Sequence, residues 1–215
     1  MSKILHPRNS SRAKSSLVSA TTSVAQRWGA QTRTQAKSIT LVLGGVRSGK
    51  SRYAQQLASA FSSVAFIATA QRSDAEMRAK IAAHRQERPA DWQTIEAPLE
   101  LGSAIRIADQ AADAIIVDCV TTYVANEMHD RRKERENGLS ERIDELCEAI
   151  STTAASVILV SNEVGSGVVP AFRSGRKYRD LLGGVNQRIA ETADRVVLMV
   201  AGLPVTVKGT EPKSC

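Results

Sequence analysis

Long apolar runs are missing from this sequence: none approaches the roughly 20 residues that a helix needs to cross a bilayer. We therefore expect a soluble protein without a membrane span. Cysteine is also scarce, with an odd total of three and no C-x-x-C spacing. This pattern argues against a disulfide framework or a structural zinc site and favours a reducing compartment, so we expect a cytoplasmic protein.

Acidic residues are absent from the first 38 positions, which carry seven Lys and Arg. Those seven account for the whole net charge of +7, because the remaining 22 basic residues balance the 22 acidic ones. Residues 1–38 are rich in Ser, Thr, Arg and Ala and are predicted to form a disordered basic leader, either a bacterial extension or an organelle transit peptide. Since the body of the chain is neutral, we expect no nucleic-acid partner.

From residue 39 onward, short apolar runs alternate with helix-like stretches, and 42% of the chain is hydrophobic, enough to bury a core. The predicted strands are 39–43, 64–69, 114–118, 156–161, 195–200 and 203–207. The predicted helices are approximately 50–60, 74–88, 98–111, 139–154 and 178–193. This alternation predicts one α/β domain over 39–215 with a mainly parallel sheet covered on both faces. The last two strands are joined only by "AG", which predicts an antiparallel hairpin at the sheet edge.

The first predicted strand leads into "GGVRSGKS", residues 44–51, which fits the phosphate-loop pattern G-x-x-x-x-G-K-S/T. Such a loop lies between a strand and a helix, so that backbone N–H groups and the helix N-terminus converge on phosphate oxygens. Lys50 is expected to reach the β- and γ-phosphates, and the Ser51 hydroxyl to ligate Mg²⁺. The alternative is a chance glycine turn, which the flanking strand and helix make less favoured.

The apolar run "AIIVDC" ends in Asp118. An acidic residue at the carboxyl end of a strand near the phosphate loop can complete a Mg²⁺ site, directly or through water. A strand-end Asp that caps the following turn is the alternative.

A predicted helix begins near Asp74 and ends before Pro89, and it carries His84 two turns after Glu76. A neutral imidazole beside arginines could attack phosphorus. From composition alone, an ordinary surface histidine is the more common outcome. His6 and His129 are predicted to be ordinary histidines of this kind.

A glycine-rich loop after the strand 156–161 carries Glu163 and is followed by four basic residues, which are Arg173, Arg176, Lys177 and Arg179. Ligands of open α/β sheets bind at the carboxyl ends of strands, so this loop should face the phosphate loop. The basic cluster is equally consistent with a site for a second anionic group and with a solvated helix face.

Four stretches together resemble the bifunctional adenosylcobinamide kinase / adenosylcobinamide-phosphate guanylyltransferase family of cobalamin biosynthesis. They are "GGVRSGKSRYAQQLA", "FIATAQRSDAEMRAKIAAHRQERPADWQTIEAP", "IIVDCVTTYVANEM" and "NEVGSGVVPAFRSGRKYRDLLGGVNQRIAETADRVVLMVAGLPV". They cover nearly all of residues 39–207. One departure is Lys80-Ile81, where the family often has Arg-Ile.

The resemblance implies a three-layer P-loop NTPase fold of the RecA-like kind and two reactions. A nucleoside triphosphate, ATP or GTP, first phosphorylates adenosylcobinamide. GTP then transfers GMP to adenosylcobinamide phosphate through a guanylylated histidine, which falls on His84. Mg²⁺ as cofactor and a homo-oligomer, by resemblance a trimer, are also implied.

By the same resemblance, His84 is the catalytic nucleophile, while Lys50 as a catalytic residue and Ser51 and Asp118 as metal ligands follow from the phosphate loop and the strand-end carboxylate. The nucleotide contacts fall on Gly44, Gly45, Val46, Arg47, Ser48, Gly49, Lys50, Ser51, Ala68, Thr69, Ala70, Arg85, Gln86, Glu87, Arg88, Glu96 and Asp118.

Two other functions remain open at this stage. One is a monofunctional small-molecule kinase in which His84 is only structural. The other, less favoured, is a nucleic-acid-dependent P-loop ATPase, for which the basic leader is the only indication.

Overall fold

The computed structural model describes residues 36–71, 88–130 and 138–210. Within them a seven-stranded sheet has the order β3-β2-β4-β5-β1-β6-β7. The strands are β1 (Ile39–Gly44), β2 (Val64–Ala68), β3 (Gln93–Glu96), β4 (Ala114–Asp118), β5 (Ser156–Val160), β6 (Arg195–Val200) and β7 (Leu203–Lys208). All neighbouring pairs are parallel except β6–β7, which is antiparallel. The predicted parallel sheet and its edge hairpin are thus confirmed.

Helices lie on both faces of this sheet. Within the described residues they are α1 (Lys50–Ala58), α2 (Leu101–Ala108), α3 (Val120–His129), α4 (Gly138–Thr152) and α5 (Arg173–Thr192). One apolar core joins the sheet to α2, α3, α4 and α5. A second core joins the opposite face to α1 through Ala54 and Ala58. The layers form because β1, β2, β4 and β5 are almost continuously apolar and are buried from both sides.

Three local expectations were wrong. Strand β3, "QTIE", was missed because it is short and polar and pairs with β2 alone. Helix α3, "VTTYVANEMH", was missed because its β-branched start favours a turn after Asp118. Helix α5 begins at Arg173, five residues earlier than predicted, although Gly175 lies in its first turn.

The predicted helix 74–88 and the predicted leader 1–38 lie almost wholly outside the described residues. None of the helices that the structure describes is long and apolar enough to cross a membrane.

Candidate active site

The loop between β1 and α1 begins at a glycine that no other residue could replace without displacement. Gly44 has a φ of 150°, and a Cβ added there would lie 2.6 Å from the backbone oxygen of Met199 and 2.7 Å from the Ser48 hydroxyl. Since Met199 belongs to β6, the loop is packed directly against the neighbouring strand. The loop conformation therefore depends on the absence of a side chain at Gly44.

Gly49 ends this loop and precedes the first residue of α1. Its φ of 95° is left-handed, and no side chain caps the helix that follows. Helix α1 also has no acidic residue in its first turn. The first amide groups of a helix carry partial positive charge and lack intrahelical acceptors, so this terminus is suited to an anion.

Lys50 lies at the first position of α1 and is only 8% exposed. Its Nζ donates to the Gly45 carbonyl at 2.5 Å and to the Ser48 hydroxyl at 3.5 Å. Burial lowers the pKa of the Lys50 ammonium, while nearby Cys119 and Asp118 raise it in part. The ammonium is thus held by neutral oxygens inside the loop, where a phosphate oxygen would be a stronger acceptor.

Three residues predicted to contact nucleotide lie level with one another along the carboxyl edge of the sheet. Ala68 of β2 pairs with Glu96 of β3 on one side and with Asp118 of β4 on the other. Asp118 in turn pairs with Val160 of β5, the strand next to the phosphate-loop strand. Ser51 is half-buried at the second position of α1. The sheet therefore brings the two predicted metal ligands to the same end of the fold.

Thr69 follows β2 and is fully buried. Its hydroxyl donates to the Cys119 carbonyl at 2.8 Å and accepts from the Cys119 amide at 2.9 Å. The Thr69 carbonyl accepts from the Asn126 side chain at 2.8 Å. The hydroxyl of Thr69 thus joins the end of β2 to the start of α3.

Arg88 is the first residue described after the segment that contains His84. Its guanidinium carbon lies 3.3 Å from the centre of the Phe66 ring, in the core of β2. Such stacking suits the planar guanidinium. His84, Arg85, Gln86 and Glu87 lie outside the described residues, so their predicted roles stay predictions. Ala70 is half-buried two residues after the end of β2.

The loop after β5 is bonded directly to the phosphate loop. The Glu163 amide donates to the Gly44 carbonyl at 3.1 Å, and the Ser161 amide donates to Val42 of β1 at 2.9 Å. The Glu163 carboxylate accepts from the Gly165 amide at 2.6 Å. The expectation that this loop faces the same crevice as the phosphate loop agrees with these contacts.

The four basic residues of α5 divide by their contacts. Arg176 donates to the carbonyls of Pro170 and Ala171, and Arg179 lies 3.3 Å from Asp180. Arg173 and Lys177 are exposed and have no hydrogen bond or ion pair to any described residue. Arg176 therefore fixes the preceding loop, Arg179 pairs only with the adjacent residue, and Arg173 and Lys177 have no partner among the described residues.

A polar network behind the site was not found from the sequence. The Asn162 amide donates to the Thr121 hydroxyl at 2.7 Å, and Tyr178 donates to the Thr121 carbonyl at 2.9 Å. Asn186 donates to the Asn162 carbonyl and accepts from the buried Ser161 hydroxyl. These contacts hold the end of β5 against α3 and α5.

The thiol and the phenol nearest to this network are both kept protonated by their surroundings. Burial raises the pKa of the Cys119 thiol, and its Sγ lies 3.2 Å from the Thr122 hydroxyl. Burial also raises the pKa of Tyr178 to about 12. Neither group is therefore suited to act as an ionised nucleophile near neutral pH. The spacing of Cys119, Thr122 and Asn126 along one helical face is the signal that could have indicated α3 and its polar contacts.

Comparisons with known proteins agree with this geometry. A family model described as "Cobinamide kinase / cobinamide phosphate guanyltransferase" matches residues 40–207. The bifunctional adenosylcobalamin biosynthesis protein CobP of Pseudomonas aeruginosa is 44% identical over 170 residues, which cover 79% of this chain and 96% of that protein. The bifunctional adenosylcobalamin biosynthesis protein CobU of Escherichia coli is 40% identical, with 78% of this chain and 98% of that protein covered.

Among solved structures, an ATPase from the type III secretion system of pathogenic bacteria matches with a TM-score of 0.53 and 11% identity. The match covers 79% of this chain and 56% of that one. At this identity the likeness concerns the fold alone, and it confirms the predicted three-layer P-loop NTPase fold.

Proposed function

The chain belongs to the cobinamide kinase / cobinamide phosphate guanyltransferase family, and from that premise we propose how its residues divide the two reactions. It is a bifunctional enzyme of adenosylcobalamin biosynthesis with kinase and guanylyltransferase activities. The observation that carries the proposal is the buried Lys50 at the start of α1, enclosed by a phosphate loop at the same sheet edge as Asp118. That arrangement suits a bound triphosphate.

In the first reaction, a hydroxyl oxygen of adenosylcobinamide forms a bond to the γ-phosphorus of ATP or GTP. The bond from that phosphorus to the β–γ bridging oxygen breaks, and the nucleoside diphosphate leaves. Lys50 and the amides of the loop Gly44–Ser51 stabilise the charge on the phosphoryl oxygens. The hydroxyl proton is lost to solvent or to a neighbouring base.

Mg²⁺ is the metal that this donor set fits. The described residues contain no cluster of three or more His, Cys, Asp or Glu side chains, so they provide no all-protein cage. Mg²⁺ commonly binds through one or two protein oxygens together with substrate phosphates. The Ser51 hydroxyl and the Asp118 carboxylate are the proposed ligands, and the ion would supply charge neutralisation at the phosphates.

In the second reaction, a ring nitrogen of His84 bonds to the α-phosphorus of GTP, and pyrophosphate leaves. A phosphate oxygen of adenosylcobinamide phosphate then attacks that phosphorus, the P–N bond breaks, and adenosylcobinamide-GDP is released. The support is positional: the segment with His84 leaves the carboxyl edge of β2 and returns at Arg88, which is stacked on Phe66. His84 stands only four residues before that anchor. Arg85, Gln86, Glu87, Arg88 and Glu96 are the proposed nucleotide contacts nearby.

The decisive experiment uses GTP carrying a radioactive α-phosphate. Incubation with Mg²⁺ should label the protein through an acid-labile, base-stable bond, and His84→Ala should abolish that label. His129→Ala, which removes the histidine at the end of α3, is the matched control and should label normally. Full labelling of the His84→Ala variant would place the nucleophile elsewhere, and a wild-type protein that phosphorylates adenosylcobinamide without labelling would be a monofunctional kinase.

A cytoplasmic homo-oligomer, specifically a trimer, is part of the same proposal. Its support is the outer strand β7, where Leu203, Val205 and Val207 alternate along one face and are 69%, 49% and 64% exposed. An unpaired edge strand with an apolar face is commonly covered by another chain. Leu203→Glu with Val205→Glu should shift the mass measured by light scattering towards the monomer; an unchanged mass would exclude this face as the interface.

A further inference from the structure

A short segment of the loop between β5 and α5 exposes large apolar side chains. Between positions 168 and 172, Val168, Val169 and Phe172 are 96%, 59% and 80% exposed. Isolated exposed apolar residues are ordinary, but three within five positions concentrate exposed apolar area on one short segment, as binding surfaces commonly do. Together with Arg173 and Lys177, these three residues make up the acceptor surface.

The loop that carries the acceptor surface starts at the end of the sheet where the phosphate loop lies. Its segment follows Glu163, whose amide is bonded to the Gly44 carbonyl at the start of the phosphate loop. From the opposite side, the turn of the β6–β7 hairpin closes on the phosphate loop, where the Gly202 amide donates to the Ser48 carbonyl at 3.1 Å. The hairpin turn therefore lies on the β6 side of the phosphate loop, and the loop that carries the acceptor surface starts on its β5 side.

The segment is held in place by contacts that leave its apolar side chains outside. Arg176 binds the carbonyls of Pro170 and Ala171 at 2.9 and 2.6 Å. Pro170 also packs so tightly against α5 that a Cβ at Gly175 would lie 2.9 Å from its ring. A surface that is fixed before a ligand arrives loses little conformational entropy on binding.

Charge adds a second property to this surface. Arg173 and Lys177 lie one helical turn apart, so they share a face of α5. Neither is paired with any described residue. The acceptor surface thus combines exposed apolar groups with two available cations, which suits a large apolar ligand that carries an anionic group.

We propose that the acceptor surface binds the corrinoid acceptor in both reactions. Val168, Val169 and Phe172 contact the apolar parts of the macrocycle, and Arg173 and Lys177 bind the phosphate that the first reaction adds. This proposal rests on the proposed function, which supplies the corrinoid as substrate. It assigns the two kinds of side chain different roles, because adenosylcobinamide lacks the phosphate and adenosylcobinamide phosphate carries it.

The test measures KM for each acceptor and Kd for GTP in two variants. Phe172→Ser should raise KM about 10-fold for both acceptors, a change of about 1.4 kcal/mol in binding free energy. Arg173→Gln with Lys177→Gln should raise KM about 10-fold for adenosylcobinamide phosphate and leave KM for adenosylcobinamide nearly unchanged. In both variants the Kd for GTP and the labelling of the protein by GTP should equal the wild-type values.

Three controls make the result specific. Phe172→Leu keeps an apolar side chain and should recover most of the affinity, and Arg173→Lys with Lys177→Arg keeps both charges. Arg188→Gln removes one positive charge from the same helix, on a side chain that is paired with Asp144 of α4, and should change neither KM. Thermal melting should be unaltered in the Phe172, Arg173 and Lys177 variants, since these side chains are exposed.

The outcomes separate this proposal from the proposed function. If the wild-type protein turns over both acceptors and the variants keep wild-type KM values, the acceptor surface is wrong and the function stands. If the variants alter the molecular mass in solution without altering KM, the patch is an interface between copies of this chain. If the wild-type protein neither binds nor phosphorylates adenosylcobinamide in equilibrium dialysis and activity assays, both proposals fail.

Discussion

Lys50 is a buried cation whose hydrogen-bond partners are neutral oxygens of its own loop. Burial without a paired anion disfavours the ammonium form, which explains why its pKa lies below the ordinary value of 10.5. A bound triphosphate supplies the missing negative charge and should raise that pKa again. Proton binding and nucleotide binding at this residue are therefore linked.

The linkage predicts a pH dependence with a definite sign. Below the pKa of Lys50 in the free protein, the ammonium is already formed and Lys50 adds no pH dependence to the affinity for nucleotide. As pH rises through that lowered pKa, binding must first protonate Lys50, so the Kd for GTP should increase by up to 10-fold for each pH unit until the pKa of the complex is reached. Titration calorimetry in buffers of different ionisation enthalpy should detect proton uptake over the same range.

Lys50→Ala is the control for this prediction. It should abolish the proton uptake and lower kcat/KM of both reactions by about 10²–10³, as expected when one charge-stabilising group is removed. Tyr178 does not contribute to the effect, because its pKa is raised to about 12 and it stays protonated. A variant that keeps the wild-type pH profile would assign the titration to another group.

At the scale of helices and strands, Asn186 joins two elements that the chain separates. Its side chain accepts from the fully buried Ser161 hydroxyl at 2.7 Å and donates to the Asn162 carbonyl at 3.1 Å. Asn186→Ala would leave both groups unsatisfied in the interior, so we expect a loss of about 1–3 kcal/mol in the free energy of unfolding.

Urea denaturation measures this loss. The neighbouring Gln187 is exposed, and Gln187→Ala should change the free energy of unfolding by less than about 0.5 kcal/mol. Equal effects of the two substitutions would show that helix propensity, rather than the buried network, determines the result.

The elements that could be predicted are those whose own residues settle their structure. Strands such as "AIIVD" and "SVILV" are apolar throughout, and the hairpin is determined by a two-residue turn. Strand β3 could not be predicted because its stability comes from pairing with β2 rather than from "QTIE" itself. Helix α3 likewise depends on burial of Val120, Tyr123 and Val124 against the core, which a local pattern does not express.

Some residues of the candidate site could likewise be predicted from the sequence, and others could not. The phosphate loop and Asp118 could be predicted because each stands next to a recognisable strand. The network of Thr121, Asn162 and Asn186 could not, because its two hydrogen-bonded pairs lie 41 and 24 positions apart in the chain. Neither could the division of the basic residues of α5, since only the fold shows that Arg176 binds the loop and Arg173 does not.

At the scale of the whole molecule, the net charge is concentrated in residues 1–38. A chain shortened to begin at residue 36 keeps β1 and the hydrogen bond from the Ser38 amide to the Ser156 hydroxyl. We expect this chain to retain both enzymatic activities, because every described part of the site lies after that point.

The same truncation tests the alternative that the protein is a nucleic-acid-dependent ATPase. That function requires ATP hydrolysis by the full chain to rise on addition of DNA or RNA, with binding that weakens steeply as salt increases. We expect no stimulation in either the full or the shortened chain at any salt concentration. Stimulation that disappears with residues 1–35 would establish the leader as a nucleic-acid-binding segment.

The stacking of Arg88 on Phe66 has a geometric consequence for group transfer. His84 is four residues before Arg88, and an extended chain spans at most about 3.6 Å per residue, so the Cα of His84 stays within roughly 14 Å of the Cα of Arg88. The length of this chain segment therefore limits how far His84 can lie from Arg88. In the proposed mechanism, the α-phosphorus of GTP and the acceptor phosphate must both lie within that distance plus the reach of the histidine side chain. Glycines inserted between His84 and Arg88 should therefore slow guanylylation by lowering the effective concentration of the histidine at the nucleotide.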